Sequence, residues 1–269
     1  MSEPAAAGGP PAAGRVTSER RGDLLLIGLD RPAKRNALTP EMLHGLAAAY
    51  GELERGDARC GVLFAHGQDF TTGLDLLAMA PVMTQERWTP HPDSIDPWGL
   101  TPPDRTKPVV AAVHGRCWTA GLELALAADL VVAAAGTRFA QLEVQRGLVP
   151  LGGGAWRLVE RAGWGNAMRY LLTGDELDAA EAYRLGVVQE VVADGRQLDR
   201  ALELAAAVAE QAPLGVRTTR ELALLAGREG PAAAAAALDA RRLALVASAD
   251  AAEGVASLIE RRKPRFTGT

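Results

Sequence analysis

The chain has 269 residues, 48% of them hydrophobic, with 29 Lys and Arg against 33 acids for a net charge of -4. That length and apolar content are enough for a large core in one domain, or in one domain with a smaller appendage, and exclude a disordered chain. The charge balance excludes a general nucleic-acid surface, and no apolar run approaches the length that crosses a membrane.

Residues 1–16, rich in Ala, Gly and Pro with Arg15 as their only basic residue, read as a disordered tail rather than a signal peptide. Leu24 to Leu29 predicts a strand that Asp30-Arg31-Pro32 ends. Thr39 followed by Pro40 is a helix start, cap then first-turn proline, with Leu43, Leu46, Tyr50 and Leu53 as the apolar face. Gly61 to Phe64 predicts the next strand. In Phe70 to Leu76, Gly73 permits a close turn and Asp75 can cap the helix that follows. The segment from Leu77 to Pro108, which carries Met79, Met83, Trp88 and Trp98, has too many prolines for one helix and reads as a short helical piece followed by an irregular loop. It could wall an apolar pocket or pack on a neighbouring subunit.

Pro108 to Val113 predicts a buried strand entering a tight turn at His114-Gly115. A helix should begin near Ala120 or Gly121, which puts Glu123 in the first turn of an otherwise apolar helix. The strand Leu130 to Ala135 follows, then Phe139 to Gly147 with Glu143. Gly147 to Gly154 is a turn that opens a helix from Ala155 toward Glu160. It is not a P-loop, since no Lys-Ser/Thr follows its three glycines, and it lacks the GxGxxG order of a dinucleotide fold. Short helices at Asn166 to Leu172 and Ala179 to Leu185 and a strand at Val187 to Val192 come next. From there the chain reads as helix: Leu198 to Glu210, a helix from Pro213, Ala232 to Ala247, and Ala251 to Arg261 with Asp250 as cap and Glu253 three residues on. Strands alternating with helices predict an α/β fold.

Glu123 alone is explained by the positive end of its helix, and Glu143 alone by a solvated loop or an ion pair with Arg146. Together, two carboxylates beside turn amides can move protons while a pair of N–H groups holds an oxygen that gains negative charge. The four histidines are scattered and assemble no metal site, and the two cysteines, Cys60 and Cys117, read as buried small side chains.

At this point the sequence resembles a known family. Arg31-Pro32-Ala33-Lys34-Arg35-Asn36-Ala37-Leu38, Gly67-Gln68-Asp69-Phe70-Thr71-Thr72-Gly73-Leu74-Asp75-Leu76, His114 to Asp129, Phe139 to Gly154 and the tail from Glu253 to Phe266 stand in the order of the crotonase family, the enoyl-CoA hydratases and isomerases. The likeness covers about Arg15 to Phe266. It implies a spiral of repeated strand-strand-helix units over residues 17–195 and a helical C-terminal region over 196–269 that mediates trimerisation, as a homotrimer or a dimer of trimers. It also implies an acyl-CoA thioester as the partner, with CoA part of the substrate, no separate cofactor and no metal. The expected location is cytoplasmic, with no nucleic-acid or membrane partner.

Carried over residue by residue, the resemblance makes Glu123 and Glu143 the catalytic pair and the backbone N–H groups of Leu74 and Ala120 the oxyanion hole. Lys34 and Arg35 match the loop that lines the CoA nucleotide's route, and Lys263 and Phe266 match a tail that reaches toward a CoA site, often that of a neighbouring subunit. The chain departs from the family where Asn-Gly-Tyr-Ala-Leu-Gly-Gly-Gly is usual: it reads His114-Gly115-Arg116-Cys117-Trp118-Thr119-Ala120-Gly121, so that Thr119 and Ala120 replace glycines. The two-glutamate pattern resembles the hydratases, which add water to a 2-enoyl-CoA to give 3-hydroxyacyl-CoA. Double-bond isomerisation or racemisation, another CoA-thioester reaction such as hydrolysis, and non-catalytic acyl-CoA binding are the alternatives.

Overall fold

A computed structural model describes residues 14–83 and 93–269 of the chain. Strand β1 (Arg15–Arg21) pairs antiparallel with β2 (Leu24–Asp30). Helix α1 (Pro40–Arg55) follows, then β3 (Cys60–Ala65), α2 (Leu76–Met83), β4 (Val109–Val113), β5 (Arg116–Trp118) and α3 (Ala120–Ala127). Next come β6 (Leu130–Ala134), β7 (Arg138–Ala140), α4 (Gly154–Ala162), α5 (Trp164–Thr173), β8 (Leu177–Asp178), α6 (Ala179–Arg184) and β9 (Glu190–Val192). The chain ends in α7 (Gln197–Ala209), α8 (Pro213–Glu229), α9 (Pro231–Val246) and α10 (Ala249–Glu260).

A six-stranded sheet has the order β1-β2-β3-β4-β6-β9, parallel from β2 onward. Strands β2, β3 and β4 are apolar without alternation because both of their faces are covered. Leu25, Ile27, Leu29, Leu63, Val109, Ala111 and Val113 pack toward α1 and α3. Leu24, Leu26, Val62, Val110, Ala112 and Val132 meet Ala201, Ala205 and Ala209 of α7, whose four-residue spacing lays a smooth face on the sheet.

The spiral arises because β2, β3, β4 and β6 of the large sheet are each followed by a shorter pairing and then a helix. After β2, Leu38 bridges Leu74 before α1; after β3, Thr71 bridges Cys117 before α2. After β4 and β6, β5 pairs with β7, and with β8 they form a three-stranded sheet. These short pairings were not anticipated from the sequence, since three residues are too few to display a period of two. They stack the turns Gly73-Leu74 and Thr119-Ala120 at one end of the molecule.

Other differences have local causes. Of the expected tail, residues 1–13 lie outside the described residues, while Arg15 and Val16 already belong to β1. That edge strand is mostly exposed and polar, so no apolar alternation announces it. Trp88 also lies outside the described residues. The cap of α10 is Ser248, whose hydroxyl accepts the Ala251 N–H, and not Asp250. Asp250 is buried and instead accepts the N–H groups of Thr267 and Gly268 at 2.7 and 2.9 Å, fastening the C-terminal tail. Strand β9 starts at Glu190, with Val187 and Val188 spent on the core before it. Among the described residues, no helix is long and apolar enough to cross a membrane.

Candidate active site

Glu123 lies in the first turn of α3 and is 2% exposed. Its carboxylate does not serve its own helix. Oε1 accepts the N–H groups of Gly152 and Gly154 at 2.7 and 2.8 Å, at the start of α4. The glycines are required there for lack of space. A Cβ on Gly152 would stand 2.6 Å from the Trp98 indole and 2.9 Å from Glu123 Oε2, and one on Gly154 would stand 2.0 Å from Gln141 Nε2 and 3.1 Å from Glu123 Cγ. The sequence reads these glycines as a turn that opens a helix, and not as the groups that hold the acid.

Glu143 opens a 3-10 turn, Glu143–Arg146, and is half-buried. Its Oε2 is buried and has no hydrogen-bond partner among the described residues, and Arg146 bonds the Gln145 carbonyl rather than Glu143. The amide of Gln141, 1% exposed, is likewise unpaired there. Burial pushes the Glu123 carboxyl up to about 7, and the Glu143 charge adds to the rise, against the two N–H donors and Arg157. Burial also raises Glu143. Two raised carboxyls that feel one another titrate as a pair, which favours one proton shared between them over a range of pH.

Leu74 and Ala120 carry the other half of the site. At the Leu38–Leu74 bridge, the Leu38 N–H bonds the Gly73 carbonyl and the Asp75 N–H bonds the Leu38 carbonyl, so the Leu74 N–H faces away from this ladder. Ala120 is the first residue of α3, where a helix leaves its N–H groups free. Neither N–H has a partner among the described residues. Thr119, at the head of α3, has φ 48° and ψ -119°, a conformation that a β-branched residue holds at a cost of about 1–3 kcal/mol.

Trp98 and Arg157 join this turn to the loop after residue 92. The Trp98 indole N–H reaches the Ala120 carbonyl at 3.4 Å. The Arg157 guanidinium donates to the carbonyls of Gly152 and Trp98 at 2.8 and 2.5 Å. Both residues also line a cavity of about 770 Å³ bounded by the end of α3, α8 and the loop through Asp104. Neither was singled out from the sequence for this role, because a lone Trp or Arg in a loop carries no period.

Lys34 and Arg35 are exposed on the 3-10 turn after β2, and the Arg35 carbonyl accepts the Thr72 N–H at 3.2 Å, next to Leu74. Lys263 and Phe266 are not brought to them within one chain. The Phe266 carbonyl is held by Arg59 at 2.7 Å, just before β3, whereas Lys34 follows β2 at the opposite end of these parallel strands.

Two raised carboxyls and two unpaired backbone donors can together move protons and stabilise an oxygen that gains negative charge. The sequence pattern that defines the enoyl-CoA hydratase/isomerase family matches residues 19–269. The chain belongs to that family. It is 35% identical over 257 residues to "Enoyl-CoA hydratase EchA19" of Mycobacterium tuberculosis, covering 92% of this chain and 94% of the other. It is 37% identical to "Probable enoyl-CoA hydratase" of Rhodobacter capsulatus, covering 91% and 95%. The crystal structure of a probable enoyl-CoA hydratase/isomerase from Mycobacterium abscessus superposes with a TM-score of 0.92 at 46% identity, over 94% of this chain and 98% of that one. The protein is therefore an enzyme of the general enoyl-CoA hydratase/isomerase type, with the crotonase spiral as its fold.

Proposed function

We propose that the enzyme hydrates 2-enoyl-CoA thioesters to 3-hydroxyacyl-CoA. The observation that carries this reading is the pair of raised carboxyls, the buried Glu123 and the half-buried Glu143, together with the unpaired N–H groups of Leu74 and Ala120. In this reaction the thioester oxygen lies against the Leu74 and Ala120 N–H groups, which draw electrons from the double bond and leave the β-carbon electrophilic. Glu123, its Oε1 fixed by Gly152 and Gly154, holds a water and takes its proton as the hydroxyl adds to the β-carbon. In the reacting form the proton that the pair shares lies on Glu143 and Glu123 is ionised, and Glu143 gives that proton to the α-carbon. The pair ends with the one proton it began with, now on the other carboxyl, and exchange through water resets it.

Lys34 and Arg35 meet the CoA phosphates beside Leu74. Lys263 and Phe266 serve the CoA of a neighbouring copy in a trimer or dimer of trimers. The exposed Val255, Leu258 and Ile259 of α10 and Leu243 and Val246 of α9 support a further apolar contact of that kind.

The test is to offer crotonyl-CoA and longer 2-enoyl-CoAs in D2O and follow the conjugated absorbance and the product mass together. Loss of absorbance with one added water, abolished in Glu143→Gln, is the expected result. Deuterium uptake without added water would make the enzyme an isomerase, and water addition that persists in Glu143→Gln would remove that residue from the α-carbon step.

A further inference from the structure

Thr119 stands where the family has glycine, and its geometry gives it a role that glycine cannot fill. Its φ of 48° and ψ of -119° belong to glycine's territory, yet the residue is β-branched. The surroundings enforce the conformation: the Thr119 N–H donates to the Ala140 carbonyl at 2.7 Å, and the Thr119 carbonyl accepts the Glu123 N–H at 3.0 Å. Its side chain is lodged against Gly73, whose φ is 95°. A Cβ on Gly73 would stand 1.6 Å from Thr119 Oγ1 and 3.0 Å from Thr119 Cβ, so the threonine fills the space that a side chain at 73 would take.

These two residues immediately precede the two unpaired donors. The Gly73–Leu74 peptide carries one N–H and the Thr119–Ala120 peptide carries the other, and the ψ of Thr119 aims the second. We propose that Thr119 is a positioning residue of the oxyanion hole: its side chain, wedged against Gly73, fixes the spacing and direction of the Leu74 and Ala120 N–H groups. A glycine in its place leaves the two turns free to shift against each other. This inference rests on the thioester oxygen binding between Leu74 and Ala120, and the experiment separates the two ideas.

The affinities of acetoacetyl-CoA, whose enolate places charge on the thioester oxygen, and of S-butyl-CoA, a thioether with no carbonyl, are measured by calorimetry for wild type and Thr119→Gly. Wild type prefers acetoacetyl-CoA. If it shows no preference, the oxyanion-hole reading itself fails. In Thr119→Gly the preference falls about tenfold through weaker acetoacetyl-CoA binding, S-butyl-CoA binding is unchanged, and kcat on crotonyl-CoA falls about tenfold with little change in KM. The melting temperature does not fall, because glycine relieves the backbone conformation, so the loss is not one of folding. Thr119→Ser, which keeps the oxygen against Gly73, restores both the preference and kcat. A Thr119→Gly enzyme that keeps the wild-type preference and kcat within twofold, or that loses both ligands equally, would overturn the proposal.

Discussion

The two ends of α3 hold carboxylates, the buried Glu123 and the half-buried Asp129, in opposite electrical surroundings. At its start, Glu123 is hydrogen-bonded only to neutral donors, the N–H groups of Gly152 and Gly154, and although Arg157 opposes the Glu143 charge, its carboxyl is raised to about 7. Just past its end, Asp129 accepts from Arg105 Nη1 and the Val109 N–H on Oδ2 and from Arg220 Nε on Oδ1, all at 2.7 Å, and those cations hold its carboxyl below the usual range. Burial alone would raise both; the partners decide the outcome. The acid bonded to arginines ties α8 to the core, and the acid bonded only to N–H groups keeps a carboxyl that exchanges its proton near neutral pH.

The largest expected effect comes from removing the first acid. Glu123→Gln lowers kcat about a thousandfold while thioester binding is retained. Its stability moves the other way. The folded carboxyl lies at about 7 against an ordinary 4.5, so its contribution to stability is complete below pH 4.5 and is lost as the pH rises through 7. Thermal melts should therefore show the Gln variant more stable than wild type at pH 8, by roughly 3 kcal/mol, with the difference closing toward pH 4. A variant destabilised at pH 8 would contradict the raised Glu123 carboxyl.

Asp129→Asn tests the other end. It strands Arg105, which is 6% exposed, and should cost about 3–5 kcal/mol in denaturant unfolding, with kcat per folded molecule unchanged. The sign with pH is reversed here: the wild-type contribution is present above 3.8 and is lost as the pH falls through the lowered value. A smaller effect is expected at Arg157, which bonds the Gly152 and Trp98 carbonyls. Arg157→Met should loosen the turn that holds Glu123 and lower kcat about tenfold, measured at saturating thioester. Smallest are Lys34→Ala and Arg35→Ala, each raising KM about threefold at unchanged kcat, with the difference shrinking as salt is added.

What the sequence made legible followed from chemistry that repeats. Apolar runs at β2 to β4 and β6 declared strands, and the Thr39-Pro40 cap of α1 is where the pair of residues places it, with Thr39 accepting the Met42 N–H. The positions of Glu123, Glu143, Leu74 and Ala120 were legible only through the motifs around them. What was not legible depends on contacts between distant segments. That Gly152 and Gly154 hold Glu123, that Thr119 lies on Gly73, and that Asp250 fastens the tail rather than caps α10 are facts of three-dimensional approach. No local period or spacing encodes them. The small sheet of β5, β7 and β8 escaped for a different reason, since its strands are shorter than the window in which alternation shows.

Burial and the Glu143 charge outweigh Arg157 and the two N–H donors, so the Glu123 carboxyl titrates near neutral pH and can pass between acid and ionised base. The most direct measurement is the infrared difference between wild type and Glu123→Gln, followed from pH 4 to pH 9 in the wild-type and Glu143→Gln backgrounds. The expected result is a protonated-carboxyl band that disappears as the pH passes about 7, and at lower pH when Glu143 is replaced. A Glu123 already ionised by pH 5, with no response to Glu143, would contradict it.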